Sequence, residues 1–334
     1  MVRPRRWHEV SPRGPMLRAL CFGNENYSSA QFPKLPSAVQ DAQSVKKAVD
    51  EMPDSMTQVH LNLPDKQAME GALADFLGKA SDRPPRMLLF YVSGHGVQTG
   101  EQLYLVPTGA SPSTRQQLSE HCLSHGEIFS TFKDWVHKVN IEDVICVLII
   151  DACRSQLDGS VHEDSFPPTL EPQGGQRPKL WALCVAAARN KNAYAPTTSE
   201  VSAFTRHLIS EECGLFQPNV PVKEALQLVC QLVRTDLSVQ SKYRQEPTIL
   251  GLELIPDICL WPGPLATQQY DVYLCYHEDD KLFAKSIKDQ LLCHKIDIFF
   301  KAESGEGKLT CTKVLLREVN RALLTAFNGH RAYR

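Results

Sequence analysis

His95 and Cys153 are the residues of this sequence best suited to covalent chemistry. Each sits at the end of an apolar run, RMLLFYVSGHG over 86–96 and VICVLIIDACRS over 144–155. A thiolate is a strong nucleophile, but a thiol near its free pKa is mostly protonated at neutral pH. A neighbouring imidazole can take that proton and later return it to a leaving amine, as acyl transfer requires. The intermediate also needs N–H donors for its oxyanion. The backbone groups of Gly96 and Cys153 are the candidates, Gly96 because a glycine permits close approach. Taken singly, each residue has a plainer reading: a buried bystander thiol, or a histidine that satisfies a turn. Together at two run ends, with Gly94 and Gly96 flanking the histidine, they point to a nucleophile and its base.

For the pair to meet, the two runs must lie side by side and point the same way. A short unbroken apolar run bounded by turn signals suits a strand buried on both faces of a parallel sheet. Parallel neighbours bring His95 and Cys153 out at one carboxyl edge, where open α/β sheets place their sites. The rest of the chain supplies such a sheet. Further strands are expected at 16–23, 57–63, 103–106, 180–187 and 248–254, and helices at 36–52, 65–79, 124–139, 202–212 and 222–239. Strands alternating with helices give an α/β fold with a mostly parallel sheet. Residues 156–179, rich in Pro, Gly and acidic side chains, interrupt the pattern as a long mobile loop. Residues 1–15 read as a disordered basic lead, and Pro256, Pro262 and Pro264 punctuate a linker over 256–269.

Composition narrows the classes further. A length of 334 residues favours two domains. A net charge of −2 gives no reason to expect nucleic acid or an anionic membrane as partner. The apolar runs are strand-sized, too short for a membrane-spanning helix. The first residues carry Arg3, Arg5 and Arg6 without the apolar core of a signal peptide. The cysteines are 11 in number and scattered, and Cys21, Cys146, Cys184 and Cys275 fall inside strand-like runs as buried free thiols. That usage suits the reducing cytosol, so a cytoplasmic location is expected. His121, Cys122 and His125 have metal-like spacing but no second ligand pair, and read as an exposed loop and helix start. No metal and no cofactor are expected. Trp135, Trp181 and Trp261 read as packing residues.

The sequence SGHG at 93–96 and IDACRS at 150–155 resemble the His and Cys motifs of caspase-like cysteine peptidases, at the spacing of that family. The resemblance spans 16–255 and takes in FGNENY at 22–27, SAFT at 202–205 and QEP at 245–247. It implies a caspase-like fold, a mostly parallel six-stranded sheet flanked by helices, with Cys153 as nucleophile and His95 as base. Caspases proper cleave after Asp, line the primary pocket with Arg, and carry Gln two residues before the nucleophile. Here that position is Asp151. An acidic wall favours a basic P1 side chain by direct charge complementarity, and the arrangement resembles that of metacaspases and paracaspases, which cleave after Arg or Lys. A second pocket acid of those families matches Asp41, closest to the paracaspase pattern. Its plainer reading is an ordinary first-turn helix carboxylate. A third acidic position of paracaspases falls near Asn192, which is not acidic. An enzyme with this preference meets two basic residues near the end of the 156–179 loop. Pro178 disfavours cleavage after Arg177, leaving Lys179–Leu180 as the expected self-cleavage bond.

The segment YDVYLCYHEDD at 270–280 resembles the opening strand and loop of a TIR domain. A helix through Phe283, Ile287 and Leu291, a strand at 296–300 and a helix at 314–325 are expected after it. Later TIR elements are absent, so 270–334 reads as a partial TIR-like domain, marginal as an independent core. Glu318 reads as a solvated charge rather than the catalytic Glu of NAD-hydrolysing TIR domains. The expected function is a cysteine endopeptidase cleaving after Arg or Lys, in immune or cell-death signalling. The alternative is a catalytically weak signalling adaptor or scaffold acting through its TIR-like tail. The expected partners are a peptide or protein substrate with a basic P1, TIR-containing signalling proteins, and a second copy in a homodimer.

Overall fold

The computed structural model describes residues 16–100, 102–141, 143–152, 178–187, 201–211, 214–236, 245–261 and 285, together with the backbone of 272–277 and 298–303. The chain divides into two units, Met1–Pro262 and Gly263–Arg334. In the first unit, β1 (Leu17–Gly23), β3 (Met87–Gly94) and β7 (Ile145–Ala152) are buried along their whole length. Their sequences are apolar except for Arg18 in β1 and the polar ends Ser93 and Asp151, which leaves neither face fit for water, so they occupy the centre of a sheet. That sheet has the order β2-β1-β3-β7-β8-β9, with β2 (Ser55–Leu61), β8 (Leu180–Val185) and β9 (Thr248–Leu250). Every neighbouring pair is parallel except β8 with β9.

The two-residue period of a strand sorts its side chains onto two cores. On one face Phe22, Phe90, Leu148 and Leu183 meet Met69, Phe76, Phe129 and Trp135 from α2 (Lys66–Asp82) and α4 (His125–Val139). On the other face Cys21, Tyr91, Ile149 and Cys184 meet Val45, Phe204 and Val229 from α1 (Ala38–Asp50), α5 (Ala203–Leu208) and α6 (Val222–Thr235). Each fully buried side chain of this size contributes about 1.5–3 kcal/mol. The same alternation decides where the polar strand ends go. Ser93 continues the face of Tyr91, and Asp151 that of Ile149, so both lie on the side covered by α1 and α5. Ser124 and Glu127 close a capping box that starts α4, and Asp65 caps α2 by accepting from the Ala68 N–H at 2.7 Å.

Several boundaries depart from expectation, each for a local reason. The last strand ends at Leu250 because Gly251 turns into the left-handed region, φ 72°, and leads a 3-10 turn, Leu252–Leu254. An expected strand at 103–106 is the middle of a small antiparallel sheet, β4 (Gly96–Thr99), β5 (Gln102–Leu105) and β6 (Leu123–Ser124). An unexpected helix, α3 (Arg115–His121), buries only Leu118, so its polar sequence carries no apolar period. His121, Cys122 and His125 are not all exposed as expected. Cys122 and His125 are fully buried, and His125 Nδ1 accepts the Leu103 N–H at 3.2 Å. Residues 258–261, read above as linker, fold back on the first unit. Val222 N–H donates to Ile258 O at 2.8 Å, Asn219 N–H to Trp261 O at 2.8 Å, and Leu260 is buried. Trp135 and Trp181 lie in the core, as expected.

Leu180 opens β8 beside Ile145, at the amino edge of the sheet. The expected self-cleavage bond, Lys179–Leu180, therefore joins an exposed residue to the first residue of a central strand. In the second unit, β10 (Val272–His277) pairs in parallel with β11 (Ile298–Glu303). The lead at 1–15, Cys153, the loop to residue 177, Asn192 and, apart from the helical Lys285, the expected helices of the tail lie outside the described residues. Among the described residues no helix is long and apolar enough to cross a membrane.

Candidate active site at the carboxyl edge of the sheet

β3 and β7 run in parallel register with Ser93 opposite Asp151 and Gly94 opposite Ala152. His95 follows directly after the end of β3, and its ring is held from two sides. Its Nε2 lies 2.7 Å from the carbonyl oxygen of Pro33. A carbonyl only accepts, so Nε2 carries the proton and Nδ1 keeps its lone pair. Its backbone N–H donates to the Tyr27 hydroxyl at 2.8 Å, and the Tyr27 and Phe32 rings pack on the imidazole at 4.6 and 5.3 Å between centroids. Burial pulls the His95 pKa below its ordinary value, and the bond to Pro33 partly opposes this. A Cβ on Gly94 would stand 2.8 Å from the Tyr27 hydroxyl, so the glycine is what lets Tyr27 reach His95. The loop bearing Pro33 is fastened by the Leu35 N–H to Glu25 O at 3.1 Å and by a Lys34–Glu25 ion pair at 2.9 Å. Gly96 opens β4 opposite Leu105.

Beneath this edge lie two buried acids, Asp41 at 0% and Asp151 at 3% exposure. Asp41 projects from the first turn of α1 and accepts the Ser202 N–H at 2.7 Å and the Ser93 hydroxyl at 2.8 Å. Asp151 Oδ2 accepts from the hydroxyls of Ser202, Thr205 at 2.9 Å and Tyr91 at 3.4 Å. Asp151 Oδ1 is buried and has no hydrogen-bond partner among the described residues. Burial, then the Asp151 charge, pushes the Asp41 pKa up to about 8. Burial also raises that of Asp151, against the pull of its hydroxyl donors. Tyr91 is held neutral by burial and so can donate.

The structure thus gathers His95, Gly96, Asp41 and Asp151 at one edge, while Cys153 lies outside the described residues. It adds Tyr27, Pro33, Tyr91, Ser93, Ser202 and Thr205, to which no role was assigned above. Tyr27, Ser93 and the pair Ser202/Thr205 fall within short motifs that sequence reading singles out. The Pro33 contact is a backbone carbonyl, which no side chain advertises. No cluster of metal-binding side chains is present among the described residues.

No curated protein matches the chain. The crystal structure of caspase-1 from Spodoptera frugiperda superposes with a TM-score of 0.51, covering 71% of this chain and 89% of that one at 16% identity. At that identity the likeness is one of fold. A family model described as the caspase domain, of the peptidase C14 type, matches residues 16–257. With most of its length matched and the sheet order in place, the chain belongs to the caspase-domain family of peptidases.

Proposed function

We propose that the chain is a cysteine endopeptidase that cleaves after Arg or Lys, with Cys153 as nucleophile and His95 as base. The observation that carries this reading is the register of β3 and β7 together with the anchored His95 ring. Chain connectivity keeps the Cα of Cys153 about 3.8 Å from that of Ala152, and Ala152 lies opposite Gly94, the residue before His95. With Nε2 occupied by Pro33, the lone pair left for a thiol is that of Nδ1. Nδ1 takes the thiol proton as sulfur attacks the scissile carbonyl, and returns it to the departing amine. Water then hydrolyses the thioester, with Nδ1 again accepting a proton. The N–H groups of Gly96 and Cys153 are the proposed donors to the oxyanion. Asp151 supplies the acidic floor that favours a basic P1, with Asp41 buried beside it, and the unpartnered Oδ1 of Asp151 supports this assignment. The TIR-like tail recruits the enzyme to TIR-containing partners in immune or cell-death signalling in the cytoplasm.

The test is a labelled covalent inhibitor carrying Arg at P1, offered to the purified chain. Uptake by the unaltered protein, and none by Cys153→Ala or His95→Ala, is expected. Because the two act as a unit, the double variant should be scarcely worse than either single one in turnover. Absence of labelling in the unaltered protein would favour the scaffold reading. Efficient cleavage after Asp would remove the acidic-pocket assignment.

A further inference from the structure

We propose that only Asp151 meets the substrate's positive charge, and that Asp41 is a positioning residue acting through Ser202. The proposal rests on the basic-P1 reading and divides its two acids by role. Both oxygens of Asp41 are already engaged, Oδ1 by the Ser202 N–H and Oδ2 by the Ser93 hydroxyl. The Ser202 hydroxyl in turn donates to Asp151 Oδ2 and accepts the Thr205 N–H at 3.0 Å, capping α5. Thr205 adds its own hydroxyl to the same oxygen of Asp151, and the Tyr91 hydroxyl lies 2.5 Å from that of Thr205. The order of support runs from Asp41 to Ser202 to Asp151. It ends on a single buried acceptor with no partner among the described residues, Asp151 Oδ1.

Two ionised carboxylates this deeply buried and joined by one serine repel each other without relief. Neither pairs with a Lys, Arg or His among the described residues. The other titratable groups that act on them, Tyr91 and Cys184, stay neutral, Tyr91 through burial and Cys184 through its bond with Cys230 and then burial. A proton on Asp41 removes the conflict, because the Ser93 hydroxyl can rotate to accept it. The pocket then carries one negative charge, matched to one cationic side chain.

The test uses the full chain and a pair of peptides with Arg or citrulline at P1, the same shape with and without charge. Asp151→Asn should bring the Arg-to-citrulline ratio of kcat/KM close to one. Asp41→Asn keeps an acceptor for the Ser202 N–H and mimics the protonated acid, so the ratio should stay within roughly threefold of the unaltered protein. Asp41→Ala leaves that N–H unpaired and should lower kcat/KM for both peptides by about tenfold. A second arm needs no turnover. An acid whose folded pKa is raised stabilises the fold at low pH and loses that contribution as pH rises from its unfolded value, 3.8, through about 8. The Tm of the unaltered protein should therefore fall more between pH 5 and 8 than that of Asp41→Asn. Collapse of the ratio in Asp41→Asn, or an unchanged Tm slope in that variant, overturns the division of roles. An unaltered protein that cuts both peptides equally overturns the basic-P1 reading instead, and the division falls with it.

Discussion

The Nε2 of His95 sits 2.7 Å from the carbonyl oxygen of Pro33, with the Tyr27 hydroxyl on the backbone N–H of the same histidine. These two contacts fix both the position and the tautomer of the ring. A histidine hydrogen-bonded to a backbone carbonyl cannot turn its protonated nitrogen toward a neighbouring thiol without losing that bond, which contributes about 1 kcal/mol. The geometry therefore leaves the lone pair on Nδ1, the nitrogen proposed above to take the thiol proton.

The first prediction concerns pH. Neutral His95 is the form that accepts a proton, and burial lowers its pKa. The acid limb of kcat/KM should thus fall below the ordinary histidine value of about 6.5. A pH profile with a P1-Arg peptide measures it. An acid limb above that value would mean that a different group titrates, or that His95 gains a negative partner in the working enzyme.

The second prediction concerns Gly94. An added methyl would stand 2.8 Å from the Tyr27 hydroxyl and 3.3 Å from Asn24 Cβ, at the end of a central strand. Gly94→Ala should destabilise the fold by about 1–3 kcal/mol, the usual cost of overpacking. Tyr27→Phe removes the oxygen that the methyl would strike. The double variant should accordingly be more stable than the sum of the two single changes predicts, by a coupling of about 1 kcal/mol. Urea unfolding of the four proteins gives this coupling directly, and strict additivity would show that the strand end yields in some other direction.

How far the sequence discloses this site depends on which group does the work. The two central strands are legible because nothing polar interrupts 87–92 or 144–150, and because each ends on a reactive side chain. The placement of Asp41 near Asp151 is legible only through family resemblance, since no pattern within α1 says which acid its first turn will meet. Pro33 is illegible, because any residue would offer the same carbonyl. His125 misleads for a different reason. Its spacing from His121 suggests a ligand pair, yet it is consumed by the Leu103 N–H, a partner 22 residues away. The hairpin after His95 and the polar helix α3 escape because their short, polar sequences lack the apolar period that marks larger elements.

The last prediction concerns self-processing at Lys179–Leu180. From the sequence that bond is the favoured one, since Pro178 hinders cleavage after Arg177. The fold argues against it. Leu180 lies in β8 beside Ile145, while Asp151 of the neighbouring strand marks the far edge of the same sheet. Six residues of strand separate the two edges, about 20 Å at the usual rise per residue. A peptidase binds its substrate as an extended, accessible segment, so attack on this bond requires β8 to withdraw from the sheet between β7 and β9. Folded protein should therefore stay uncut at Leu180 while it turns over P1-Arg peptides. The measurement is prolonged incubation of the purified chain, followed by N-terminal sequencing of any fragments, with Cys153→Ala as control. A fragment beginning at Leu180 in the active protein and missing from the control would show that β8 opens in solution, and would return this bond to consideration.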